Sequence, residues 1–454
     1  LFHFGLSPLA RATVLTGEFN WIHDPSRIIK CNGKYYVYYS GNNILVRTST
    51  DLINWKSEKA VLDRVPEWAR KAVPAATGNH VWAPDIIFLN NKYYLYYSFS
   101  TFGSKISVTG LVTSPTLDPT SPDYKWTDQG VVLASTNASD YNAIDPAPIL
   151  DTQNELWLSI GSWNRGGIKL VKLDKNTGKP ISQPISIGAG QRSGPEAPYL
   201  HYRDGYYYLF QNEGTCCNGM NVTYHIMMGR SKTVTGPYLD KEGRDLAKGG
   251  GSSFLSTNGV EIGPGHMGIY SEDGIDRFTY HYYDGRSNGV PTMGMQTLVW
   301  GVDGWPQPGT DLAAGRYSII SKASGLALGV QNSNFAEGTP IDQAPYLGGT
   351  TQQWNLSPTG NGHYSIGSLG TAKYFDLFEC KSEDGTKISQ YPWMNNDCQK
   401  WRIEQTSDGF YRIVSKAGDA VVTLPGGSKN IQAVVQGYAW KGDDSQKWIF
   451  NRLP

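Results

Sequence analysis

Across the first 300 positions, polar turns alternate with five short apolar and aromatic runs. The runs are Gly33-Lys34-Tyr35-Tyr36-Val37-Tyr38-Tyr39-Ser40, Lys92-Tyr93-Tyr94-Leu95-Tyr96-Tyr97-Ser98, Glu155-Leu156-Trp157-Leu158-Ser159-Ile160, Tyr206-Tyr207-Tyr208-Leu209-Phe210 and Arg277-Phe278-Thr279-Tyr280-His281-Tyr282-Tyr283. Tyrosine-rich runs of this length behind Asn, Asp or Gly turns predict β-strands. A proline-marked segment precedes each run: His23-Asp24-Pro25, Ala83-Pro84-Asp85, Ile144-Asp145-Pro146, Pro195-Glu196-Ala197-Pro198 and Gly263-Pro264-Gly265-His266. From Asp24 to Asp85, Asp145, Glu196 and His266 the steps are 61, 60, 51 and 70 residues. A further strand candidate follows in each unit, such as Ile44–Arg47 or His225–Met228. Self-similarity at this period predicts repeated four-stranded sheets, the blades of a propeller. The innermost strands of a propeller line a central channel, so the five marked residues are expected to converge on one axial site. Glu196 is expected on a stiff, extended segment, because proline fixes its own φ and pushes its predecessor towards extended backbone.

The pattern changes at Trp305-Pro306-Gln307-Pro308-Gly309-Thr310. Beyond it, Tyr317, Tyr364 and Tyr411 open similar segments 47 residues apart. Gln352-Gln353-Trp354, Gln399-Lys400-Trp401 and Gln446-Lys447-Trp448 close them at the same interval. Three such units must stack to bury a common core, and the Gln and Trp of Q-x-W are read as packing residues. The expected boundaries are residues 1–308, a short linker at 309–313, and residues 314–454.

The chain has 454 residues, 40 basic and 40 acidic, so its formal net charge is zero and no basic stripe stands out. That argues against a nucleic acid or an anionic membrane as partner. No apolar run approaches the ~20 residues of a membrane span. The opening residues Leu1–Leu6 lack the basic region and apolar stretch of a secretory leader, so any leader is expected to have been removed. Sequons at Asn137, Asn221 and Asn355 allow N-glycosylation in a secreted product. The 28 Tyr and 14 Trp suit a β-rich protein with aromatic binding surfaces. Five cysteines, Cys31, Cys216, Cys217, Cys380 and Cys398, leave one over from any full pairing.

His23-Asp24-Pro25-Ser26, Val81-Trp82-Ala83-Pro84-Asp85-Ile86, Asn142-Ala143-Ile144-Asp145-Pro146-Ala147 and Pro195-Glu196-Ala197-Pro198, taken together and in order, resemble glycoside hydrolase family 43, and within it the five-bladed arabinanases. Ser121–Trp126, Cys216-Cys217 with Thr223-Tyr224-His225, and Gly229–Lys232 through Gly236–Lys241 extend the resemblance over most of residues 18–308. The residues after about 314 resemble a ricin-type carbohydrate-binding β-trefoil. The resemblance implies an all-β chain: a five-bladed β-propeller followed by a β-trefoil.

It further implies Asp24 as general base, Glu196 as general acid, and Asp145 as the residue that orients the acid and tunes its pKa. Family members invert configuration, so the base and acid are expected roughly 6.5–9.5 Å apart to leave room for water. Trp82, Phe102 and Trp163 are candidate sugar platforms, with the hydrophobic core as their alternative place. Asn142 and Ser162 resemble sugar-binding positions, and His266 resembles the histidine that reaches calcium or another metal ion at the propeller axis. No organic cofactor is implied. A vicinal Cys216–Cys217 bridge lining the cleft is implied, two free thiols being the alternative; Cys380 and Cys398 could close a local loop within one repeat.

Sugar-binding trefoil repeats place an Asp 23 residues before the glutamine. Here the middle repeat has it, as Asp376, while Gly329 and Thr423 stand in the others; one sugar site, with Asp376, Gln390 and Trp393, is the most expected, and a spacer is the alternative. The expected protein is a secreted, extracellular, monomeric hydrolase of α-1,5-linked L-arabinofuranosyl bonds in plant cell-wall arabinan, endo-acting in preference to exo-acting. A carbohydrate-binding protein with an inert propeller is the rival from another class, and the presence of all three acids argues against it.

Overall fold

A computed structural model describes residues 12–161, 166–189 and 194–454. Five sheets, antiparallel but for the short parallel pairing of Thr16–Gly17 with Asn54–Glu58, follow one another along residues 16–308, and a twelve-stranded sheet system occupies residues 315–452. Lys34–Tyr39, Lys92–Phe99, Leu156–Ile160, Tyr206–Glu213 and Ile275–Asp284 form the predicted Tyr-rich strands. Each is an interior strand of its own sheet.

Those strands are buried on both faces, and their alternation tells why. Tyr35, Val37 and Tyr39 pack with Trp55 and with Met293 and Met295 of the fifth sheet. Tyr36 and Tyr38, on the opposite face, pack with Ile86, Leu95 and Tyr97 of the second. The second sheet meets the third through Tyr94, Tyr96, Leu156 and Leu158. The third meets the fourth through Ile149, Leu170, Leu200 and Leu209. Phe210, Phe254 and Phe278 pack edge-on between the fourth and the fifth. A strand whose two faces each meet another sheet has no polar face to show, so it reads as an unbroken apolar run. Five sheets packed face to face in a closed cycle are a five-bladed β-propeller.

The trefoil repeats its strands at the 47-residue interval: Gly315–Ser321, His363–Ser368 and Tyr411–Ser415 pair with Trp354–Gly360, Trp401–Gln405 and Trp448–Arg452. Trp354, Trp401 and Trp448 are fully buried in one core, and each indole N–H donates to the carbonyl 26 residues earlier, at Leu328, Phe375 and Val422. Each motif glutamine clamps a loop. Gln352, Gln399 and Gln446 donate to the carbonyls of Pro345, Pro392 and Ala439. They accept from the N–H groups of Leu347, Met394 and Lys441. The residue bracketed in each loop is aromatic: Tyr346, Trp393 or Trp440.

The chain divides into two compact units, and the division runs through the fifth sheet. One unit is Leu15–Tyr270 with Phe278–Met295; the other joins Ser271–Arg277 to Gln296–Pro454. Within the second unit Asp276 and Trp300 bond through their N–H groups to Ser407, and Thr310 bonds to Gln405. Burial would raise the Glu404 carboxyl, but Arg277, Arg412 and Arg402 around it bring it down to about 2. Among the described residues no helix is long and apolar enough to cross a membrane.

Candidate active site

Each blade opens on a residue with left-handed backbone: Asp24 (φ 51°), Ala83 (φ 48°), Asp145 (φ 53°), Ala197 (φ 48°) and His266 (φ 56°). This conformation is strained for a side chain and persists only where the surroundings hold it. What holds it is a ring of hydrogen bonds from one blade to the next. Ser40 Oγ accepts the N–H of Ala83, and Ser98 Oγ that of Asp145. Asp145 Oδ2 accepts the N–H of Ala197, Asn212 Oδ1 that of His266, and His281 Nδ1 that of Asp24.

The true repeat positions therefore include Ala83 and Ala197, where the spacing of acids had pointed to Asp85 and Glu196. Glu196 stands one residue before its repeat position and still reaches the site. Asp85 stands two residues after its own, across a break in strand register, and does not join the axial acids. Its carboxylate is buried against Arg27, whose Nη2 approaches to 2.6 Å and also donates to the Pro148 carbonyl. Arg27, paired with Asp85, thus ties the first three blades together.

Asp24, Asp145, Glu196 and His266 do come together. Asp24 Oδ2 accepts from Ser40 Oγ at 2.6 Å, and Oδ1 faces His23 Nδ1 at 2.9 Å, His266 Nδ1 at 3.5 Å and His281 Nδ1 at 3.6 Å. Burial opposes charge on Asp24, but His23, His266 and His281 outweigh it and hold the carboxyl well below its usual range. Glu196 is the opposite case. Burial raises its pKa to about 7; Tyr224, hydrogen-bonded to it, works downwards, and the charge of Asp24 works upwards. Asp145 is also raised well above its usual value, first by burial and then by the charges of Glu196 and Asp24. One carboxylate is held ionised, while a second, buried one in the same cluster keeps its proton up to a pH of about 7. That is the division of protonation states acid–base hydrolysis needs.

Residues 19–306 match the glycosyl hydrolases family 43. The chain belongs to glycosyl hydrolase family 43. Residues 299–391 and 397–454 match the ricin-type beta-trefoil lectin domain-like family. Among curated relatives, the extracellular endo-alpha-(1->5)-L-arabinanase 1 of Bacillus subtilis is 41% identical over 67% of this chain and 96% of its own length. The extracellular exo-alpha-(1->5)-L-arabinofuranosidase ArbA of Cellvibrio japonicus is 38% identical over 63% of this chain and 86% of its own. The solved endo-arabinanase of Bacillus licheniformis superposes with a TM-score of 0.60 at 39% identity, over 65% of this chain and 99% of that one. An endo-1,5-alpha-L-arabinanase from Thermotoga petrophila RKU-1 covers 91% of this chain and 98% of its own at a TM-score of 0.54. At 23% identity that likeness is one of fold.

This family 43 hydrolase places the other expected site residues unevenly. Trp82 is partly exposed, and Phe102 is 79% exposed. Asn142 is buried, with its amide bonded to the Ser104 carbonyl and Ser135 Oγ, so it braces loops. Ser162 and Trp163 lie outside the described residues. Cys216–Cys217 and Cys380–Cys398 are disulfides, and Cys31 is a buried thiol. In the trefoil, Gln390 is a correction to the expected sugar site. It is 0% exposed, and its amide is spent on Thr371 Oγ1 and the carbonyls of Asn334 and Ala336. Asp376 is hydrogen-bonded to Gln399 and raised to about 6 by burial. Trp393 is 37% exposed and lies 5.1 Å from the Tyr374 ring.

Sequence reasoning gave no role to His23, Ser40, Tyr224, His281 or Tyr283. His23 and Tyr224 lie inside the quoted family-like motifs, which was the one available signal. The Tyr346, Trp393, Trp440 triplet was legible from its 47-residue spacing. As for a metal, the ligand atoms of His23, Asp24 and His281 lie within 4.8 Å of one another. His266, the expected residue, is not in that group.

Proposed function

We propose that this protein hydrolyses α-1,5-linked L-arabinofuranosyl bonds of arabinan outside the cell by a single displacement. Asp24 activates water, Glu196 protonates the leaving oxygen, and Asp145 positions Glu196. The observation that carries the reading is the split within one cluster, with Asp24 held well below its usual range and Glu196 raised to about 7. Two contacts support the role of Asp145: it accepts the N–H of the neighbouring Ala197 at 3.0 Å, and its charge and that of Glu196 oppose each other's ionisation. The substrate class rests on the names of relatives. Trp82 and Phe102 are offered as sugar platforms because both reach solvent.

Endo action is favoured by the 41% identity to the endo-acting relative, and exo action is the second reading, from the relative at 38%. A time course on linear and debranched arabinan decides between them. Mixed arabino-oligosaccharides from the earliest samples are expected, and a single short product from the start would establish exo action. Early proton NMR is expected to show β-arabinofuranose, whereas an initial α-product would replace the water-activating base with a nucleophilic carboxylate.

The family resemblance also implies a cation near His266. His23 Nδ1 is already bonded to Asp24, and His281 Nδ1 accepts the Asp24 N–H, so these two nitrogens offer a cation little. His266, whose Nδ1 lies 3.5 Å from Asp24 Oδ1, would hold calcium together with water, waters being among the six to eight oxygen ligands calcium takes. Dialysis against a chelator tests this: lost activity would support the cation, and unchanged activity would count against it. The trefoil is proposed as a second attachment to polymer through Trp393 and Asp376.

A further inference from the structure

We propose that His23 and Tyr283 are positioning residues for Asp24, and that the Cys216–Cys217 turn anchors the outer end of their chain. This rests on the reading of Asp24 as the base. Three contacts run in series. The Cys217 N–H donates to Tyr283 Oη at 2.8 Å, Tyr283 Oη lies 2.7 Å from His23 Nε2, and His23 Nδ1 lies 2.9 Å from Asp24 Oδ1. An ionised carboxylate can only accept, so Nδ1 carries a proton whichever charge His23 bears. The imidazole is held in its plane by stacking on His281, with ring centroids 3.9 Å apart and planes 24° apart. Tyr283 closes on both histidines edge-on.

The outer end of the chain is fixed covalently. Cys217 has left-handed backbone (φ 64°) beside a disulfide to its own neighbour, and its Sγ lies 3.8 Å from His23 Nε2. Few backbone conformations satisfy both, so the direction of the Cys217 N–H is set. On the other side of Asp24, Ser40 Oγ donates to Oδ2 while its own oxygen accepts the Ala83 N–H at 2.8 Å. Both carboxylate oxygens are therefore gripped, from chains anchored in different blades. The carboxylate is thereby held in one orientation, as a base must be if it is to take a proton from a water in line with the breaking bond. Misplacing a reacting group by about 1 Å costs on the order of 10²-fold in rate.

The test uses the full chain on a linear 1,5-arabino-oligosaccharide, with variants His23→Leu, His23→Asn, Tyr283→Phe and Asp24→Asn. His23→Leu is expected to lower kcat about 10²-fold with KM within about twofold. His23→Asn, whose amide N–H falls near the position of Nδ1, is expected to recover roughly tenfold of that. Tyr283→Phe, nearly isosteric, is expected to lower kcat roughly tenfold, with thermal unfolding close to the parent. Parental kcat in both His23→Leu and Tyr283→Phe would overturn the proposal, as would an Asn variant no better than Leu. A rise in KM at unchanged kcat would make His23 a sugar-binding group and overturn it too, and so would rescue of His23→Leu by added calcium chloride. Asp24→Asn separates the two levels. If it turns over normally, the base assignment itself fails; if it is inactive while His23→Leu is not, the positioning role alone fails.

Discussion

Tyr224→Phe tests the electrostatics of the site more sharply than loss of an acid does. Tyr224 is buried, stacks on the His281 ring, and hydrogen-bonds to Glu196. That bond draws the Glu196 pKa down, against the burial that raises it to about 7. An acid catalyst works only while protonated, so activity should fall as pH rises through about 7. Removing the hydroxyl takes roughly 1.5–3 kcal/mol of hydrogen bonding from ionised Glu196 and about 1 kcal/mol from the protonated form. The difference, at 1.36 kcal/mol per pH unit, moves the alkaline limb of kcat/KM up by about one unit. Asp24, which does not contact the hydroxyl in any described bond, keeps the acid limb in place. Rate profiles on linear arabinan from about pH 5 to about pH 9 would read both limbs. An alkaline limb that stays put or moves down would mean that Glu196 is not the group whose proton limits the reaction.

Three further outcomes follow from the same contacts. The raised pKa of Glu196 lends stability below pH 4.5 that is lost as pH rises through 7, so Glu196→Gln should match the parent near pH 4 and exceed it near pH 8 by at most about 3 kcal/mol; urea unfolding at the two pH values measures this, and equal stability at both would contradict it. Asp85→Ala strands the Arg27 guanidinium, with an expected loss of about 3–5 kcal/mol in the same assay; a loss below about 1 kcal/mol would show that the pair is replaceable. Trp393→Ala should weaken retention on insoluble arabinan while turnover of short oligosaccharides stays unchanged, and unaltered retention would leave the trefoil as a spacer.

The sequence by itself determined the repeat architecture. Strands buried on both faces must be apolar throughout, so the Tyr-rich runs were visible as strands, and packing three equivalent units fixed the 47-residue spacing of Q-x-W. Asp24, Asp145 and Glu196 were legible for a similar reason: prolines beside each acid mark the stiff openings of blades. Tertiary structure alone decided which carboxylates meet. Asp85 carries the same proline mark, yet a two-residue offset from the left-handed position of Ala83 turns it to Arg27. It also decided that Gln390 serves the core, since its amide partners lie 54 and 56 residues earlier as well as nearby at Thr371. The chain from Cys217 through Tyr283 to His23 was out of reach of any local pattern. Its links are separated by 66 and 260 residues, and only closure of the propeller brings the first blade against the fifth.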